Sequence, residues 1–310
     1  MSPHRLGYAC INHGLSTLPK SKRVTTNRSM IKKTFKERGT TYASEITLQN
    51  VTDLLTILQW NVDNDIRFFR MSSDIFPWAS EYDLEQLPDF NAIADTLRKC
   101  GDFATQHGIR LTTHPGPYNK LCSSDERIIN NTVKDLNHHA EVMDLMGLSA
   151  TPYNKINIHV GATYGDKPAA GEVFCRNFDR LSDTCKQRLT VENDDKASMW
   201  STRDLYDMIY SNIKIPIVFD YHHHQFCTGG QTEQEALTLA ASTWGDIVPV
   251  VHYSQSRSEE HNDPSIKPQA HSDSYWSVPE LYGINVDVML ECKHKEQGLQ
   301  KMRQLITEGA

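Results

Sequence analysis

Eight residues of metal-ligand type, His114, His159, Glu192, Asp220, His223, His252, His271 and Glu291, sit at or just beyond the ends of β-like runs. Ligand side chains so far apart in sequence converge only if the strand ends themselves converge. That requirement selects a closed or strongly curved sheet with its chemistry on one rim. The β-like runs read as approximately Leu6–Asn12, Ile66–Ser72, Ile109–His114, Lys155–Val160, Arg188–Asn193, Pro216–His222, Val248–Ser254 and Gly283–Glu291. Several are rich in Val, Ile and aromatic residues and too short for helices.

Helical patterns separate most of these runs. Asn91 to His107 places Ile93, Leu97, Cys100, Phe103 and Ala104 on one face, with Gly108 as a stop. Asp125 to Met146 repeats the pattern before Gly147. Ser201 and Asp204 form a capping-box pattern ahead of Leu205, Met208 and Ile209. Thr232 to Trp244 and Glu296 to Ile306 are helical in pattern as well. Alternating strand and helix predicts the α/β class: a (β/α)8 TIM barrel, one domain over residues 1–310, with a metal cluster at the C-terminal face of the strands. A parallel inner sheet calls for strands apolar on both faces, and Ile215 to Phe219 fits, with Pro216 at the strand start. Two long connections, Thr17 to Ser44 and Ser256 to Ser277, are expected on the same face as the ligands.

Composition limits the partners less than the local charge does. Over 310 residues the net charge is -7, yet Lys20 to Gly39 carries Lys20, Lys22, Arg23, Arg28, Lys32, Lys33, Lys36 and Arg38 against Glu37 alone. A basic loop at about 17–44 beside the ligand rim is suited to a polyanion. The mean hydropathy is -0.53. No run approaches the ~18 apolar residues needed to span a bilayer, and Met1 to Cys10 lacks the apolar core of a secretory signal. A cytoplasmic, nucleoid or nuclear setting is therefore expected, with no membrane partner. Seven cysteines without a C-x-x-C pair predict neither a disulfide framework nor a zinc ribbon.

Three carboxylates and five imidazoles suffice for two or three divalent ions. The mixed donor set suits Mn²⁺ or Zn²⁺, with Co²⁺ as a further candidate, better than Mg²⁺ or Cu(I). Two chemistries suit such a cluster on a barrel. Phosphodiester hydrolysis uses the ions to activate water and neutralise phosphate oxygens. Sugar isomerisation uses one or two ions and a dedicated base. The basic segment favours the phosphodiester.

The quoted residues resemble the ultraviolet-damage endonucleases over nearly the whole chain. The resemblance rests on Arg70-Met-Ser-Ser73, His114-Pro115, Ile158-His-Val-Gly161 with Tyr164-Gly-Asp-Lys167, Leu189-Thr-Val-Glu192-Asn-Asp-Asp195, Asp220-Tyr-His-His223-His, His252-Tyr-Ser, Ala270-His-Ser-Asp273 and Met289-Leu-Glu-Cys-Lys-His-Lys-Glu296. It implies a barrel related to endonuclease IV and a site of two or three ions, usually manganese. It also implies incision immediately 5′ of cyclobutane pyrimidine dimers and 6-4 photoproducts in duplex DNA, leaving 3′-hydroxyl and 5′-phosphate ends. Carried over by residue, Glu192, Asp220, His252 and Glu291 form the catalytic set. Glu192 bridges two ions, with Asp220, His252 and Glu291 completing one site and His114 and His159 the other. His223 and His271 hold a third ion. Tyr8 and Asn12 touch the damaged bases, Pro117 and Tyr118 form a wedge, and Arg70 and Lys167 are candidate phosphate contacts. A monomer is expected.

Two positions depart from the family pattern. The wedge is commonly Gln-Tyr, and Pro117 cannot offer glutamine's side-chain hydrogen bonds to an orphaned base. A lysine often stands two residues before the strand-7 histidine, where this chain has Val250. The alternatives are an abasic-site endonuclease or sugar isomerase on the same scaffold, or a catalytically weak lesion-binding relative.

Overall fold

The computed structural model describes residues 3–309; the outermost residues of the expected domain span, 1–2 and 310, lie outside that range. Eight strands form a closed parallel barrel in sequence order: β1 (Arg5–Ala9), β2 (Phe68–Met71), β3 (Arg110–Thr113), β4 (Ile156–Ile158), β5 (Leu189–Glu192), β6 (Ile217–Asp220), β7 (Val250–Tyr253) and β8 (Asp287–Leu290). Closure is made by β1 against β8, with Gly7 opposite Met289. This is the TIM barrel expected from the alternating pattern. Each strand falls within its expected run or within a residue of it, and is shorter.

Helices cover the outside. Phe90–Gln106 buries Ile93, Leu97, Cys100 and Ala104, the stripe read from the sequence. Glu126–Leu145 is capped by the Asp125 side chain. Ser201 and Asp204 make the expected capping box. Lys295–Glu308 closes the barrel behind β8. The seventh connection is the exception, carrying only the short helix Arg257–Glu260 among the described residues between β7 and β8.

Two expectations are corrected. The basic segment is not a loop throughout: from Lys32 it is helix, running to Asp63 with a kink at Gly39, whose φ of 60° favours glycine. Several of its cations are engaged. Arg28 lies 2.7 Å from Asp53, Arg38 sits 3.4 Å over the Tyr42 ring, and Lys32 stands over Trp78.

The second correction concerns the barrel interior, which is only partly apolar. Arg110, Lys155, Asn157, Thr190 and Asp287 are fully buried. Arg110 and Asp287 pair at 2.8 Å near the N-terminal ends of the strands, with Arg110 also donating to the Tyr153, Val248 and Pro152 carbonyls. A charge inside a barrel is tolerated only with partners of this kind. Val250 packs there with Ala9, Phe68, Val218, Trp244 and Met289.

Candidate metal centre

All eight predicted ligands gather over the C-terminal mouth of the barrel. Glu192 ends β5 at 1% exposure and lies at the hub. Its carboxylate is 3.2 Å from His114 Nε2, 3.1 Å from His252 Nδ1, 3.4 Å from His223 Nδ1 and 3.9 Å from His159 Nε2. Three overlapping donor groups, each within 4.8 Å, comprise His114, His159 and Glu192; Glu192, Asp220 and His223; and Asp220, His252 and Glu291. Glu192 and Asp220 each belong to two of them. His223 thus joins Glu192 and Asp220 as well as facing His271, whose ring centre is 6.2 Å away. His271 falls in no such group but lines the same cavity.

The imidazoles are aimed by their neighbours. His114 Nδ1 is 3.1 Å from the Pro115 carbonyl, His223 Nδ1 2.9 Å from that of Asn193, and His271 Nδ1 3.1 Å from that of Glu291. His159 Nδ1 is 3.0 Å from Asp194 Oδ1. For His114, His223 and His271, an oxygen acceptor at Nδ1 places the proton there and leaves the Nε2 lone pair free, the second contact that metal-ligating histidines characteristically make. His252 is reversed: Nδ1 faces Glu192 and Glu291, each at 3.1 Å, and Nε2 meets Lys155 Nζ at 3.3 Å.

The carboxylates are fixed too. Asn157 donates to Glu192 and accepts from the Thr190 hydroxyl at 2.8 Å. Asn193 bridges to β6 through the Asp220 backbone, accepting its N–H at 2.8 Å and donating to its carbonyl at 3.0 Å. Asp220 Oδ1 caps the short helix Tyr221–His224 through His223 N–H at 2.8 Å. Glu291 is paired with Arg70.

Electrostatics and donor geometry both fit cations. Burial, with Glu192 and Glu291 and against His223, pushes the Asp220 carboxyl up to about 7. Burial also disfavours ionisation of Glu192, but the His252, His159 and His114 imidazoles hold its carboxyl well below the ordinary range. His159 rises to about 9 against burial, through Glu192 and Asp194. Asp220 Oδ2 is buried without a hydrogen-bond partner. An unpaired buried acceptor among other donor groups is expensive unless a cation completes it.

The site opens into a cavity of about 550 Å³ bounded by Arg70, Pro117, Lys120, Gly161, Lys196 and Met199 as well as by the ligands. Tyr118, which follows the cavity-lining Pro117, is 87% exposed and borders a second cavity with Asn131, Asp135 and His139. The remaining predicted contacts are placed elsewhere. Tyr8 and Asn12 are buried: Tyr8 O–H donates to Asn61 Oδ1 at 2.8 Å and accepts from Asn12 Nδ2 at 3.2 Å. The Asn12 side chain also caps the turn at Leu15. Neither is among the residues that line the cavity. Lys167 donates to Asp204 at 2.8 Å, tying the helix Lys167–Phe178 to the next unit, and does not line the cavity.

Sequence reasoning missed Lys155, Asn157, Asp194, Lys120 and Lys196. The period of two carried a signal for the first pair, because Lys155, Asn157 and His159 alternate onto the face that bears a ligand. A further donor group, Glu260, His261 and Asp273, is occupied internally. Glu260 accepts the Asp273 and Ser274 N–H groups, while Asp273 meets Arg257 and His261. It braces the loop that carries His271.

Fold and site define a parallel eight-stranded barrel with a His/carboxylate donor cluster able to hold metal at its catalytic face. The family model described as "UV-endonuclease UvdE" matches residues 4–308. The chain is 34% identical over 309 residues to a UV-damage endonuclease of Schizosaccharomyces pombe, covering 95% of this chain and 49% of that protein. It is also 34% identical to a UV DNA damage endonuclease of Clostridium perfringens, covering 94% and 68%. The solved structure of SacUVDE superposes with a TM-score of 0.83 at 29% identity, covering 98% of each chain. A D-psicose 3-epimerase from Clostridium cellulolyticum shares the fold, with a TM-score of 0.54 at 11% identity over 81% of this chain and 92% of that one. The chain belongs to the UV-damage endonuclease family. It spans about half the length of the fission-yeast relative.

Proposed function

We propose that this chain is a metal-dependent DNA repair endonuclease. It incises duplex DNA immediately 5′ of cyclobutane pyrimidine dimers and 6-4 photoproducts and leaves 3′-hydroxyl and 5′-phosphate ends. The observation that carries the reading is Glu192 at the junction of two donor groups, beneath an open cavity. A shared carboxylate is what a centre with adjacent divalent ions requires.

His114, His159 and Glu192 would hold one ion, and Asp220, His252 and Glu291 another, with Glu192 shared; His223 and His271 would serve a third. Two or three Mn²⁺ ions are proposed, with Zn²⁺ or Co²⁺ as substitutes. When bound, the ions supply a nucleophilic water near neutral pH and positive charge for the phosphate oxygens. The chain's own residues supply the rest. Asn157 and Arg70 fix Glu192 and Glu291. Asp194 orients His159. The exposed Tyr118 ring is the wedge that fills the stack when a lesion is turned out, which costs least where pairing is already damaged. Pro117 beside it keeps the loop stiff and offers no hydrogen bond.

Among the described residues no helix is long and apolar enough to cross a membrane. A monomer acting on damaged DNA in the cytoplasm, nucleoid or nucleus is the proposed setting. The test is a duplex carrying one defined photoproduct, incubated with Mn²⁺ and with chelator, with the end groups of the products analysed. Metal-dependent nicking directly 5′ of the lesion is expected. Nicking only at an abasic site, or none, overturns the reading.

A further inference from the structure

The cavity contains three lysine or arginine side chains with different commitments. Arg70 is spent on Glu291. Lys120 and Lys196 line the same cavity and form no ion pair among the described residues. They come from the connections after β3 and β5, and so stand on either side of the connection after β4 that carries His159 and Gly161. An unpaired cation on an ordinary surface needs no explanation. Two of them bordering one cavity floored by buried carboxylates do, because that floor repels an anionic substrate.

Lys120 is seated rather than free. Its N–H donates to the Thr132 hydroxyl at 3.0 Å, and Ser123 N–H returns to its carbonyl at 3.2 Å. Asn119 beside it is held by donating to Gly116 O at 3.1 Å and Asp135 at 2.7 Å. Its stem crosses Gly161, where a Cβ would lie 3.2 Å from Lys120 Cγ and 3.7 Å from Cε. Gly161 is at φ +93°, which only glycine adopts without strain. The missing side chain leaves a bed for the lysine, so less conformational freedom remains to be lost on binding. Lys196 is exposed and follows Asp194 and Asp195 on the cavity wall.

We infer that Lys120 and Lys196 are the cavity's phosphate-holding side chains, gripping backbone phosphates of the substrate strand on either side of the metal centre. This rests on the nucleic-acid reading of the site. An ε-ammonium suits the task, since as a compact point charge it needs no planar, bidentate partner. The interaction is with the sugar–phosphate backbone and carries no base sequence. It therefore holds the strand the same way whichever photoproduct is present. The pair also offsets the acidic wall until the phosphate reaches the ions.

The experiment uses a fluorescent duplex with one cyclobutane dimer. Binding is titrated over a series of salt concentrations for the native chain, Lys120→Gln, Lys196→Gln, the double variant and Lys120→Arg. Each lost phosphate contact should lower the slope of log K against log salt by about 0.9, so by about 1.8 in the double variant, with Lys120→Arg near native. Steady-state nicking should show KM rising at least tenfold in the double variant, with kcat within about threefold of native. Melting temperatures should be unchanged, separating contact from folding. If the native chain binds and nicks while the glutamine variants keep its salt slope and KM, the lysine assignment is wrong and the nuclease reading stands. If the native chain binds neither damaged nor intact duplex, the nucleic-acid reading falls, and the lysine role with it.

Discussion

Replacing Glu192 with glutamine keeps the shape of the side chain and removes one negative charge from the hub of the donor cluster. One amide oxygen remains to accept from Asn157, so the barrel should assemble. The ions should not bind as before, because two donor groups share this carboxylate. At an ion concentration one hundred times Kd, each bound ion stabilises the native state by about 2.7 kcal/mol, so two ions contribute about 5.4 kcal/mol. Unfolding entropy near the midpoint is about 2.1 cal/mol/K per residue, or about 0.65 kcal/mol/K for this length. Saturation with Mn²⁺ should therefore raise the melting temperature of the native chain by about 8 °C. Losing a direct ligand should weaken each ion at least as much as losing a supporting contact does, about 100-fold at the upper end. The same Mn²⁺ concentration then equals Kd and gives only about 0.4 kcal/mol per ion, for a shift of about 1 °C. Thermal melts of both proteins with Mn²⁺ and with chelator measure this directly, and nicking of irradiated plasmid should drop with the shift. A Glu192→Gln protein that keeps the full Mn²⁺-dependent shift, or nicks at the native rate, would refute the shared-carboxylate argument.

Three other perturbations test separate parts of the structure. Lys155→Met keeps the volume of a buried side chain but removes the nitrogen that meets His252 Nε2; Mn²⁺ affinity by isothermal titration should fall about 10- to 100-fold, and an unchanged Kd would reduce Lys155 to packing. His138 packs edge-on against Phe76, and burial, with His139 and Lys134, lowers its pKa from 6.5 to about 3. Between those values only the unfolded chain binds the proton, so native stability falls as pH drops from 6.5 toward 3, by about 2 kcal/mol at pH 5. Denaturant unfolding of His138→Leu should show a shallower acid limb, and a superimposable pH profile would count against a neutral buried ring. Tyr118→Ala removes a side chain with almost no intramolecular burial; the melting temperature should stay within about 1 °C while discrimination between damaged and intact duplex drops at least tenfold, and equal discrimination would remove the wedge role.

The parts of this molecule that could be read from sequence are those governed by short-range pattern. β-branched and aromatic runs located all eight strands, and the i, i+3, i+4 stripes located Phe90–Gln106 and Glu126–Leu145. The convergence of the candidate donor residues was legible because a strand that ends in His or a carboxylate shows both facts within a few residues. What escaped was set by partners distant in the chain. Tyr8 is held inward, its hydroxyl donating to Asn61 on the helix Lys32–Asp63. Lys167 is diverted from the cavity by Asp204, 37 residues on.

The polar barrel interior was a different kind of omission. Parallel strands covered by helices favour apolar residues on both faces, yet a barrel that must deliver charge at its mouth continues the polar column inward. On β4 and the residues flanking it, that column is Lys155, Asn157 and His159; along β8 and its end, Asp287 and Glu291 share the face with the apolar Met289 between them. Each layer supports the one above. Asp287 neutralises Arg110 at the base, and Lys155 and Asn157 fix His252 and Glu192 in the middle. The donor cluster thus rests on a fixed polar framework, in place of the flexible loops alone. The same framework bears on Val250, where the strand offers no amine. Lys155, the residue before β4, brings an amine to His252 from another part of the barrel.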